Sequence, residues 1–219
     1  MSKFGRKSKF ELLPVELVLT ILGSVADIRS LTSTALSCST IYQILIEGQF
    51  QVVPQVLFRE IDTEVLPEAI AVLESFTSVW TKTAILNFAA ETLDDRKTSE
   101  RSWNLVDAYS VVRMFHQITG LATDFSSQSK TSRQIEGEAS APTKSELNRF
   151  RRSFYRFQLY CNLFGDLEHP TFSLQEQRIV FFSRFSPWEN EQLACVHDYL
   201  CRLLSSGPFQ CSSITCTRS

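Results

Sequence analysis

The 219-residue sequence predicts an all-α protein, and three observations carry that prediction. Apolar residues recur at spacings of three and four along most of the chain, the period of one helix face. Capping residues stand where those stretches begin. Seven Gly and seven Pro are few for a β protein built on tight turns. Hydrophobic residues make up 43% of the chain, enough to bury a core in one or two small domains. Phe is unusually frequent at 17, and many of these fall between positions 150 and 185.

The first helix is expected just after Pro14 and on to Val25, because proline suits the first helical position. Leu17, Ile21 and Leu22 mark its stripe, with Val18 and Val25 beside it. Asp27 is placed to cap a second helix over 28–36, and Ser39 a third over 39–46 that Gly48 would end. Residues 50–61 read as apolar helix broken at Pro54. Asp62 or Thr63, with Pro67, opens the next helix, with Ile70, Leu73 and Phe76 inward. The stretch 80–90 suits a helix or a short strand around Ala84-Ile85-Leu86. A clearer helix spans 100–118, with Leu105, Tyr109, Val112 and Phe115 on one face.

Residues 126–146 are rich in Ser, charge and small side chains, and too poor in apolar area to offset the entropy of ordering them. They read as a flexible linker. Residues 147–164 follow as the strongest helix. Leu147, Phe150, Phe154, Phe157, Cys161 and Phe164 form its stripe, and Arg149, Arg152 and Arg156 lie mostly off it, in water. Two capping boxes come next, Ser173 with Glu176 and Ser186 with Glu189. The second opens a helix to Leu204 with Leu193, Val196, Leu200 and Leu203 inward. Residues 207–219 lose periodicity and read as a disordered tail.

Net charge is −2, so no global field points to nucleic acid. The run Arg149, Arg151, Arg152 and Arg156 reads as a solvated helix face. The basic start Arg6-Lys7-Ser8-Lys9 lacks an apolar signal core, and no run reaches transmembrane length. The chain reads as intracellular, in cytoplasm or nucleus, with no membrane partner. Cys38, Cys161, Cys195, Cys201, Cys211 and Cys216 show no framework spacing and read as free thiols, the helical ones as small hydrophobes. His197 and Cys201 stand at i, i+4 with Cys195 near, but without a second ligand pair they read as packing residues. His116 and His169 lie in no catalytic motif, and no Gly-rich phosphate loop occurs. No catalytic residue, cofactor or metal is expected.

One segment is informative. It runs Leu12-Leu13-Pro14-Val15-Glu16-Leu17-Val18-Leu19-Thr20-Ile21-Leu22, then Asp27-Ile28-Arg29-Ser30-Leu31, then Ala35-Leu36-Ser37-Cys38. This resembles the F-box: Leu-Pro, a Glu two residues on, an apolar helix, a second short helix, and an apolar pair entering a third. The match covers about 12–42. Tyr42 stands where the family usually carries Trp, and the second helix is rich in Ser and Thr. A similar start, Leu66-Pro67-Glu68, recurs without the helices behind it.

The resemblance implies a three-helix module that docks a Skp-family adaptor and, through it, a cullin of a ubiquitin ligase. Leu13, Pro14, Glu16, Leu17, Ile21, Leu22, Leu31, Leu36 and Tyr42 would make the contact. Glu16 also suits the positive end of its helix dipole. The later helices, with Arg151-Arg152-Ser153-Phe154-Tyr155-Arg156 and Phe185-Ser186-Pro187-Trp188-Glu189, are similar to filamentous-fungal F-box-like proteins. They would hold an unidentified protein client, with no residue doing chemistry. The divisions expected are a module over 10–50, a helical region over 51–125, the linker over 126–146, a helical region over 147–206 and the tail. The alternative is a helical scaffold or regulatory protein unconnected to ubiquitin, or a truncated product.

Overall fold

The computed structural model describes residues 13–76, 80–94, 101–131, 141–165 and 172–205. Among these residues every regular element is helical, and the protein is all-α. The α-helices are α1 (Val15–Gly23), α2 (Ile28–Leu36), α3 (Ser39–Glu60), α4 (Leu66–Ser75), α5 (Lys82–Phe88), α6 (Leu105–Thr131), α7 (Lys144–Phe164), α8 (Leu174–Val180) and α9 (Pro187–Ser205). A π-helical stretch, Ala89–Asp94, follows α5, and a 3-10 turn, Phe182–Arg184, follows α8. The chain divides into two compact units, Met1–Leu73 with Thr98–Gln117, and Glu74–Lys97 with Ile118–Ser219.

In the first unit α1 and α2 each pack on α3. Val18 and Leu22 of α1, Ile28, Leu31 and Ala35 of α2, and Leu45, Val52 and Val56 of α3 are buried. Asp27 caps α2 as expected, its Oδ1 accepting from Ser30 N at 2.7 Å. Arg59 donates to the carbonyls of Gly23 and, at 3.2 Å, of Ser24, and so satisfies groups left open at the end of α1. Glu60 accepts from Ile28 N at 3.0 Å and pairs with His116 at 2.9 Å.

Helix α3 departs from expectation, because neither Gly48 nor Pro54 ends it. A Cβ on Gly48 would meet the end of the Leu19 side chain, which occupies the space that the glycine leaves. Pro54 removes the donor for the Phe50 carbonyl. Phe50 is exposed, where water can serve that group. The boundary expected at 50/51 therefore falls inside a continuous helix.

The second unit holds an aromatic core. Phe125 meets Phe150 at 5.2 Å and Tyr199 at 5.3 Å, edge to face. Phe164 meets Phe172 at 5.5 Å, and Phe181 meets Tyr160 at 5.5 Å. Tyr199, which is buried, donates to Asp124 Oδ2 at 2.6 Å, and the half-buried Tyr160 to Gln177 Oε1 at 2.6 Å, so both phenols keep a partner. The box of Ser173 forms as expected, and at Ser186 the Glu189 half of the box forms: each Glu oxygen accepts from the Ser backbone N–H, at 2.9 Å and 3.0 Å. Thr143 and Glu146 add another at the start of α7.

The stretch at 82–88 takes the helical one of its two readings. Several expectations change. Phe76, Tyr109 and Leu203 are exposed rather than inward. Helix α6 begins at Leu105 and continues to Thr131, and α7 begins at Lys144. The two ends of the expected linker are therefore helical, while 132–140 lies outside the described residues, as do the tail and the basic start. In α7 the buried face is not the stripe of Phe alone. Cys161 is exposed, whereas Tyr155 and Arg156 are buried. Arg156 leaves water because Glu189 Oε1 meets its Nη1 at 2.8 Å and its guanidinium lies 4.7 Å over the Phe185 ring.

Candidate functional site

The candidate site is the outward side of α1, α2 and α3. On α1, Leu17 and Ile21 stand one turn apart and face water, while Val18 and Leu22 turn into the core. Leu17 is 51% exposed and Leu22 0%, so adjacent stretches of one helix divide the two tasks. Glu16 lies in the first turn of α1, where its carboxylate meets the positive helix end. Pro14 precedes the helix as its cap residue and is exposed, and Leu13 is half-buried.

On α2, Ile28, Leu31 and Ala35 are buried at spacings of three and four, which leaves Leu36 turned out and 71% exposed. Thr32 and Thr34 bond back to this helix, to Ile28 O at 2.8 Å and Ser30 O at 2.8 Å, and Ser30 donates to the capping Asp27 at 2.9 Å. They are satisfied locally and leave the thin apolar face to those three residues. Tyr42 is exposed in the first turns of α3.

Of the nine positions expected to contact a partner, Pro14, Glu16, Leu17, Ile21, Leu36 and Tyr42 are exposed. Leu22 and Leu31 are corrected to core residues, since a fully buried side chain has no surface to offer. Their stripes run into α3, which the hydrophobic pattern alone could not distinguish from an outward stripe. Val15, Phe50 and Phe58 are exposed apolar residues that sequence reasoning did not assign. Tyr42, Phe50 and Phe58 recur a little over two turns apart on α3, a spacing visible only once the helix is known to run through Gly48.

Elsewhere Cys201 Sγ lies 3.5 Å from His197 Nε2. Both are exposed, as is Cys195, and the His197 ring lies 6.1 Å from that of Phe157, so they are boundary rather than core residues. Among the described residues no group of three or more His, Cys, Asp or Glu could hold a metal, and no helix is long and apolar enough to cross a membrane. His169 lies outside the described residues.

The architecture defines an all-α protein of two helical units. No family model, no curated protein and no solved structure matches the chain.

Proposed function

We propose that this protein is a non-enzymatic interaction adaptor resembling F-box substrate receptors. In this reading α1–α3 dock a Skp-family subunit of a cullin-RING ubiquitin ligase, inside the cell, and the rest of the chain presents a protein client. One observation carries the reading: Leu17, Ile21, Leu36 and Tyr42, four apolar or aromatic positions of the F-box-like pattern, face outward from three consecutive helices. Single exposed leucines are ordinary on any surface. Outward apolar residues from all three helices of the motif leave area to be covered, as an interface would. Leu22 and Leu31 fit the same reading as the core that holds these helices in place.

Co-expression of the tagged full chain with a Skp-family adaptor tests it. The adaptor should co-purify with the parent chain and be lost with the double variant Leu17→Asp/Leu36→Asp, which alters exposed positions only. If the parent chain captures no adaptor, the F-box reading fails and the chain is a helical scaffold of another kind.

A further inference from the structure

The second unit contains a cleft of about 560 Å³ between the later part of α6 and the beginnings of α7 and α9. Such a volume suits a small ligand or a side chain with its flanking backbone. Phe125 and Phe150 form part of its wall, and Trp188 stands in it 50% exposed with no ring contact to any described residue. Ser126 lines it too. That serine is only 3% exposed, and it is a polar residue on the cleft wall. A hydroxyl oxygen on a cleft wall can accept from a ligand's N–H.

The charges on the wall have one sign. Glu146 and Glu191 line the cleft, and no Lys or Arg does so among the described residues. Glu146 accepts from Thr143 N at 2.8 Å, in the capping box that offsets the positive end of α7. Glu189 does the same for Ser186 at the start of α9. Glu191 is a further carboxylate beyond those two caps, on the exposed side of α9 and one turn from Trp188. Aromatic faces beside a carboxylate suit a flat cation, because the ring quadrupole and the anion attract the same charge. The same unit already holds one arginine this way, Arg156 between Glu189 and the Phe185 ring.

We propose that this cleft binds an arginine side chain of a partner polypeptide. The methylene stem lies along Phe125 and Phe150, and the guanidinium stacks at Trp188 and donates to Glu191 and Ser126. Arginine fits better than lysine because its planar fork can stack and still present several donors at once. The site is independent of adaptor docking, since it uses none of the residues of α1–α3.

The test uses the full chain without any adaptor present. N-acetyl-Gly-Arg-Gly-amide and its citrulline counterpart, neutral and of the same shape, are titrated by ligand-observed NMR. The arginine peptide should bind, and the citrulline peptide should bind on the order of tenfold more weakly. Trp188→Ala and Glu191→Gln, both at exposed positions, should each weaken the arginine peptide several-fold while the melting temperature holds. Equal binding of the two peptides, no binding of either, or affinity unchanged in both variants would overturn the proposal. None of these results would alter the outcome of adaptor capture.

Discussion

Arg156 acts as a core residue in spite of its charge. It is 4% exposed and meets both a carboxylate and an aromatic ring. Removing one partner of a buried pair leaves the other uncompensated, so Arg156→Ala should lower unfolding free energy by ~3–5 kcal/mol. Arg149→Ala, on the exposed side of the same helix, should change it by less than about 0.5 kcal/mol. Phe154→Ala, a large-to-small change in the aromatic core, should fall in the range of Arg156→Ala, at ~3–5 kcal/mol. Urea unfolding of the three variants measures this order. The pair also sets a pH dependence. Burial works against ionisation of Glu189, but the hydrogen bonds from Ser186 and the charge and hydrogen bond of Arg156 outweigh it, holding the carboxyl at about 2 against an ordinary 4.5. A depressed folded value stabilises above the unfolded one. The contribution is therefore present above about 4.5 and lost as pH falls toward about 2. Melting temperature should decline across that window, and Glu189→Gln should make the decline shallower. Glu176, held at about 2 chiefly by the hydrogen bond from Lys82, keeps part of the slope in that variant.

At the scale of elements, helix starts were the most legible feature of the sequence. Asp27, Ser173 and Ser186 each announce a helix through a contact spanning three residues, and all three contacts form. What lay hidden depends on partners distant in sequence. Gly48 reads as a stop, yet it lies within a continuous helix, where the side chain of Leu19, far upstream, fills the space beside it. The end of α6 from Ser126 reads as linker, yet Ser127 and Ser129 bond back to carbonyls four residues earlier, and Tyr199 anchors Asp124 just before it. Arg156 reads as solvated because Glu189 lies 33 residues away. The Gly48 contact can be tested by coupling. Alanine favours a helix interior over glycine by ~1 kcal/mol. Gly48→Ala should gain less than this in the parent chain, where the new methyl displaces the Leu19 side chain, and the full amount in the Leu19→Ala chain. Additive effects in a double-mutant cycle would show that Leu19 does not fill that space.

For the whole molecule, the candidate site was half legible. The F-box-like pattern marks positions, but a stripe in sequence does not say which apolar residues meet the core and which meet water. Burial makes that distinction: Leu22 and Leu31 go in, and Leu17, Ile21, Leu36 and Tyr42 stay out. The two groups should therefore respond oppositely to truncation. Leu22→Ala should lower stability by ~2–5 kcal/mol, like any buried leucine. Alanine at Leu17, Ile21 or Leu36 should leave the melting temperature close to that of the parent. The most direct measurement is the dissociation constant of the full chain for a purified Skp-family adaptor, taken for the parent and for these three surface variants. The expected result is saturable binding by the parent, weakened roughly thirtyfold by at least one surface truncation, the ~2 kcal/mol of an interface anchor. Parent binding that none of the three surface truncations changes, or no binding by the parent at all, would contradict an adaptor interface on α1–α3.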